Sequence, residues 1–372
     1  MQSWKVKNLI RFTVGILLFG LAVYPAQAAF NSIFIFGDTV STTTNNTLLY
    51  PSPTNFYGQR YSNGRVWVEA LAQRQGLGAN SITNANWFFS SNNWSYDGDY
   101  SSDLVKNVGN FKAPTNATNA LFVVWVNDAD FVSDVLNCAT NITLWTNAIN
   151  QSLTNHFVAI TNLYAKGART LIMPNAVDLS VVPAYQNYAA ATNGFIRQRV
   201  MDFNTAFTTT LMNRIKTSCP GIVIYVPDFF SLLDNMLTNA AAYGLTNAVI
   251  DALDDTSLAN LSMTGPGANY IWWDNQDPTA KAQAVMADVA QQLISPAQIT
   301  NLTMLNGNSQ LGVASLPIGL NGFVDGTTNL APVNWTSVTN FNSTNVTQTV
   351  VVPVSGPMQF YRLRFPFAWT WP

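Results

Sequence analysis

The sequence predicts an α/β domain built on a parallel sheet, followed by a small all-β module. Three observations carry this. Ile33-Phe34-Ile35-Phe36, Leu121 to Val126, Thr170 to Met173 and Ile222 to Val226 are short, unbroken apolar runs. Strands buried on both faces read this way. Helical patterns separate the runs, so strand and helix alternate from residue 30 to about 295. From Ser295 the pattern changes: Asn306-Gly307 between two apolar runs is a strong hairpin signal.

The N-terminus reads as a leader. Lys5, Lys7 and Arg11 precede the apolar run Phe12 to Tyr24, and Ala26-Gln27-Ala28 gives a cleavage pattern. Residues 1–28 are expected to be removed near Ala29. The mature chain is then expected to be secreted, extracellular or periplasmic, with no transmembrane segment, because the run is short of the ~20 residues a span needs. Such a compartment permits disulfides. The chain has two cysteines, Cys138 and Cys219, and sequence alone does not show whether they approach closely enough to pair.

Composition excludes some functions. Charged residues make up 10% of the 372 and the net charge is −2. Nothing in that balance attracts nucleic acid or an acidic membrane. No phosphate loop, zinc spacing or dinucleotide fingerprint is present, so no cofactor is expected.

The first apolar run leads into Gly37-Asp38-Thr39. Gly37 allows a sharp turn, and Thr39 offers a hydroxyl at the strand's carboxyl end, where ligands bind in open α/β sheets. A polar loop follows, residues 42–61, then a helical pattern from Val66 to Arg74. Residues 80–109 read as irregular and rich in Asn, Ser and Trp. Trp87, Phe88, Phe89, Trp94 and Tyr96 there either line a cleft or pack as a local cover, the cover being preferred. Helices are expected at 144–165, 195–216 and 280–293. The whole is a flavodoxin-like three-layer α/β domain over residues 29–295. In the module, 296–372, Asp325-Gly326 marks another turn. Tyr361, Leu363 and Phe365 share one strand face and Arg362 and Arg364 the other.

Several of these blocks, in this order, resemble the GDSL (SGNH) ester-hydrolase family. Residues 33–41 match its first motif, 60–69 its second, 121–131 its third and 270–279 its fifth. The resemblance implies a three-layer α/β fold and hydrolysis of acyl or acetyl esters of lipids or carbohydrates. It also implies the roles of single positions. Thr39 stands where the family has its nucleophilic serine, and its methyl restricts χ1. Gly64 takes the place of the second motif's oxyanion donor. The third motif reads Gly-x-Asn-Asp; aligned without gaps its Asn falls on Ala129, while Asn127 substitutes if the loop is shorter. The fifth reads Asp-x-x-His-Pro-Thr, and here it is Asp274-Asn275-Gln276-Asp277-Pro278-Thr279. Asp274 is kept, but Asp277 replaces the catalytic histidine.

The single histidine, His156, falls inside a predicted helix and far from every motif, as a packed or surface residue does. Losing the nucleophile or the base of a serine triad costs roughly 10⁶-fold in kcat. The expectation is therefore a secreted GDSL-type hydrolase that is catalytically impaired. Asp277 is at best a weak base for Thr39, since a carboxylate is far less basic than imidazole. The alternatives are a non-catalytic glycan- or lipid-binding protein, or a structural surface protein. Asp38, Asp274 and Asp277 would be a Ca²⁺ site if they met; otherwise they are structural or solvated.

Overall fold

The computed structural model describes residues 30–43, 55–58, 60–77, 92–126, 128–138, 140–246, 249–329, 334–354 and 360–365. The expected leader lies outside them, as do Trp87, Phe88, Phe89 and Asn127.

Four parallel strands form the central sheet. These are β1 (Ile33–Gly37), β2 (Leu121–Trp125), β3 (Thr170–Ile172) and β4 (Val223–Tyr225), in the spatial order β1-β2-β3-β4. Every residue of β1 and β2 is buried, which is why neither strand alternates in polarity. A short extended segment lies on the free side of β1. The Ile35 N–H donates to Asn92 O at 2.9 Å, and the Trp94 N–H donates to Ile35 O at 2.7 Å. Counted with this segment, the chain order across the sheet is second, first, third, fourth, fifth, the flavodoxin-like order.

Helices cover both faces. They are α1 (Trp67–Arg74), α2 (Ser101–Asn110), α3 (Ala129–Cys138), α4 (Ile142–Ala165), α5 (Ala190–Ala206), α6 (Met212–Ser218), α7 (Phe229–Thr238) and α8 (Ala280–Ile294). The helix expected at 195–216 is α5 and α6 joined through a π-helical turn at Phe207–Leu211. Part of the stretch read as irregular is α2. Its sequence signal is weak because only Leu104 and Val108 of its apolar residues are fully buried. The Asp103 carboxylate accepts the Tyr100 N–H at 3.2 Å and so caps its start. Trp94 is a core residue rather than a cleft residue, stacked on Phe36 with ring centroids 6.4 Å apart. Cys219 is a buried free thiol among the described residues; the side chain of Cys138 lies outside them. Among the described residues no helix is long and apolar enough to cross a membrane.

The loop before α1 is held by a buried ion pair. Arg60 Nε donates to Glu69 Oε2 at 3.1 Å, and the two side chains are 1% and 0% exposed. Glu69 Oε2 also accepts the Val66 N–H at 3.0 Å.

The all-β module is a sandwich of two three-stranded antiparallel sheets. One is ordered β5 (Gln298–Leu305), β6 (Asn308–Ala314), β9 (Thr347–Pro353); the other β10 (Phe360–Arg364), β7 (Asn321–Thr327), β8 (Thr336–Asn342). Asn306 and Gly307, at φ 51° and 77°, make the expected tight turn between β5 and β6. Asp325-Gly326 is not a turn. Both residues lie within β7, where the Asp325 carboxylate accepts Arg362 Nε at 3.1 Å and Arg364 Nε at 2.9 Å. The sequence cue misleads because the two arginines that neutralise Asp325 come from a strand 37 to 39 residues on, a pairing visible only in three dimensions.

The module is fastened to the α/β domain at the end of α1. Arg74 Nη1 donates to Ile318 O at 3.2 Å, and the Ile318 N–H donates to Arg74 O at 3.2 Å. Arg74 Nε reaches Asp288 Oδ1 of α8 at 2.8 Å.

Candidate active site

The carboxyl ends of the strands open into a pocket of about 180 Å³. Its walls are mostly apolar and come from several elements, among them Trp125, Val132, Leu179, Phe229, Leu232 and Met286. Two side-chain bonds hold the loops after β3 and β4 together. Asn175 Nδ2 donates to Asp228 Oδ1 at 2.8 Å, and Asn175 Oδ1 accepts the Phe230 N–H at 3.0 Å. This lashing brings Leu179 and Phe229 to one wall.

Thr39 sits at the mouth because β1 runs straight into a 3₁₀ turn, Thr39–Ser41. The turn is locked from outside. Asn93 Nδ2 donates to Ser41 O at 2.8 Å, Trp67 Nε1 donates to Ser41 Oγ at 3.0 Å, and Thr42 Oγ1 donates to Asp38 O at 3.0 Å. A Cβ on Gly37 would stand 2.9 Å from Ser95 Oγ and 3.0 Å from Ser41 Cβ, so only glycine lets these segments close.

The Thr39 hydroxyl has a definite partner, and it is not Asp277. Thr39 Oγ1 donates to Asp97 Oδ1 at 2.8 Å. The buried Tyr61 hydroxyl bonds to the same carboxylate. Asp97 lies in the stretch that reads as irregular, with no period or motif to single it out, and only the paired segment 92–94 carries it to the strand end. Asp277 does line the pocket and is 4% exposed. Burial, and then the charges of Asp274, Asp38 and Asp97, push its carboxyl well above the usual range. The shift favours the protonated form of Asp277, which donates a hydrogen bond rather than accepting a proton.

The other expected positions divide. Asp274 Oδ1 accepts the N–H groups of Gln276 and Asp277 at 2.9 and 2.7 Å, so this carboxylate shapes the turn that carries Asp277. Gly64 is buried in its loop and is not on the pocket wall. Its neighbours tie that loop to the start of α8: Asn63 Oδ1 accepts the Ala280 N–H at 2.8 Å and Ser62 Oγ donates to Pro278 O at 3.0 Å. The glycine that does line the pocket is Gly98, beside Asp97. Ala129 is the first residue of α3 and touches the pocket, preceded by Asp128. His156 is remote, its Nδ1 2.8 Å from Ser152 O and its ring edge-on to Phe207. Among the described residues no three His, Cys, Asp or Glu group closely enough to hold a metal ion; Asp38, Asp274 and Asp277 make no such site.

No family model matches the chain. Curated relatives do. A GDSL esterase/lipase of Arabidopsis thaliana is 24% identical over 331 residues, spanning 72% of this chain and 90% of its own. A second from the same plant is 24% identical over 340 residues, spanning 75% of this chain and 95% of its own. Matches along most of the chain make it similar to the GDSL esterase/lipases and support that family. Among solved structures, a lipase from a goat rumen metagenome has 9% identity and a TM-score of 0.42, covering 71% of this chain and 97% of that one.

Within this pocket the buried acids set a pH dependence. Burial pushes Asp38 up to about 7, and burial also holds Asp128 well above the ordinary range. Their protonated forms are thus favoured by folding. The stability they contribute is complete below the unfolded value near 4 and is lost as pH rises through the folded value. The Tm is expected to fall between pH 5 and pH 8, and Asp38→Asn is expected to flatten that fall. At pH 8 the variant should be more stable by about 1–3 kcal/mol. Calorimetric scans at the two pH values check this; a variant less stable than wild type at pH 8 would contradict it.

Proposed function

We propose that this chain is an exported, catalytically impaired GDSL-type hydrolase whose pocket still takes the acyl part of an ester. One observation carries the reading: the hydroxyl at the nucleophile position is bonded to the carboxylate of Asp97, while the chain's one histidine is packed elsewhere. The apolar walls suit an acyl chain. The third motif, Gly-x-Asn-Asp, is best placed on residues 125–128, because β2 ends at Trp125 and Ala129 already opens α3. On that placement Asn127, not Ala129, is the candidate oxyanion donor. Export rests on the leader pattern of residues 1–28.

The Thr39–Asp97 bond favours residual slow attack over complete inertness. The Thr39 hydroxyl donates a hydrogen bond to Asp97, which stands where an acceptor for its proton is needed, in place of the family's imidazole. Hydrolysis of a short-chain activated ester by purified protein tests both parts. Turnover well below the ordinary ~1–10³ s⁻¹, falling further in Asp97→Asn, is the expected result. Turnover inside that range, abolished by Thr39→Ala, would overturn the impairment.

A further inference from the structure

The all-β module is almost without charge, yet its few charged groups meet. Residues 296–372 contain three charged side chains, Asp325, Arg362 and Arg364. All three lie on one face of the β10-β7-β8 sheet. Val324 and Leu363, their neighbours along the strands, pack into the module's core, so the charged residues point the other way, outward. Asp325 is 3% exposed because both guanidiniums cover it. Arg362 reaches Asp325 Oδ2 through Nε and Nη2, each at 3.1 Å. Arg364 reaches Oδ2 through Nε at 2.9 Å and Oδ1 through Nη2 at 3.1 Å.

One arginine suffices to neutralise a carboxylate, so the second leaves this face with a surplus positive charge. The two arginine side chains stay open to solvent, 47% and 41% exposed. Nη1 of each makes no hydrogen bond to another described residue. Aromatic rings hold them flat: Arg362 lies over Trp335 at 4.8 Å and Arg364 over Phe323 at 4.5 Å. A guanidinium fixed in this way loses little freedom when it takes an anion, and it is more weakly hydrated than an ammonium. Across the strands, the register sets Ser337 opposite Asp325 and Asn340 opposite Phe323, and both are exposed. The patch thus joins a cation to a hydroxyl and an amide, and these two rows hold no aliphatic residue.

We propose that this face binds the carboxylate of an acidic glycan, a uronate residue within a hydroxyl-rich chain. Arg362 and Arg364 take the carboxylate through the nitrogens that Asp325 leaves free, and Ser337 and Asn340 meet neighbouring sugar hydroxyls. A single surplus charge suits one carboxylate on a neutral body. It suits a nucleic acid or a heavily sulfated chain poorly, since those draw on several cations at once. An anionic membrane fits poorly too, because anchoring there takes a cluster of basic residues or an apolar face. The site shares no residue with the pocket, so it goes beyond the ester reading and does not depend on it.

The full chain is titrated calorimetrically with oligogalacturonate and with a neutral galactan of matched length, at low and at moderate salt. The acidic oligomer is expected to bind about 10-fold tighter than the neutral one, with the preference shrinking as salt rises. Arg362→Gln is expected to abolish the preference, because Arg364 and Asp325 then balance, while Thr39→Ala leaves it intact. Arg364 still covers Asp325 in the Arg362→Gln protein, and a Tm near that of wild type shows that the module stays folded. The comparison of acidic with neutral glycan on wild type needs no variant. Equal binding of the two glycans, binding of neither, or a preference that survives Arg362→Gln in a folded protein overturns the proposal. Tighter binding of heparin or of phosphatidylserine vesicles, lost in Arg362→Gln, also overturns it and assigns the face to a polyanion or a lipid surface.

Discussion

Joining Thr39→Ser and Asp277→His in one chain is expected to raise ester hydrolysis by about 10³-fold or more over wild type, while either change alone gives little. A serine at position 39 without imidazole has no adequate base. A histidine at position 277 faces a threonine whose methyl restricts χ1 and whose proton already goes to Asp97. Triad members act as a unit, so their joint return is worth far more than the sum of single returns. The turn is ready for the change: Asp274 already bonds the backbone at 276 and 277 and so fixes the path of the residue that replaces Asp277. Asp97 limits the gain, because it competes for the hydroxyl. Adding Asp97→Ala should release the introduced serine hydroxyl to the new imidazole and raise the rate again. The measurement is turnover of a short activated ester by wild type, both singles, the double and the triple. A double mutant that folds and gains nothing would show that the cleft no longer holds an ester in line with position 39.

The second large effect lies outside the pocket. Glu69→Ala is expected to destabilise the protein by about 3–5 kcal/mol, since Arg60 is then buried with no counter-charge. For a domain of this size that is a fall in Tm of roughly 10 °C. The Val66 N–H loses its acceptor as well. Removing both charges together, as Arg60→Met with Glu69→Leu, should recover most of the loss, because a buried pair contributes little net beyond its apolar replacement. Thermal unfolding of the two variants decides this. A Glu69→Ala protein within about 2 °C of wild type would mean the pair is not closed off from water.

What is legible in the sequence follows from how local each cue is. Unbroken apolar runs locate β1 and β2 because both faces of those strands are buried, and burial leaves a direct trace in composition. Thr39 and Asp277 are legible because they stand at fixed offsets from a strand end and from a Pro-Thr pair. Asp97 is not. Its role depends on the segment 92–94 pairing with Ile35, a long way back along the chain, and so short a bridge leaves no periodic pattern. Gly64 fails to reach the pocket wall for a different reason. An Asn-Gly ahead of a Val-Trp helix has the form of a motif, but its neighbours Ser62 and Asn63 turn the loop toward α8. Helix α2 is hidden by its polarity. Asp325-Gly326 has the composition of a turn and the surroundings of a strand.

The pairing of residues 92–94 with Ile35 has a bearing on solubility. A central sheet of four strands would otherwise present the backbone of β1, almost wholly apolar in its side chains, as an open rim, and such rims template association between copies of a chain. The segment that delivers Asp97 to the nucleophile position also seals this rim. Damage at Asn93 or Ser95 therefore has two results at once: a displaced carboxylate and an exposed, sticky margin. Selection for a soluble chain would hold this stretch in place even where selection for turnover had lapsed, since its backbone shields the sheet whatever chemistry the pocket performs.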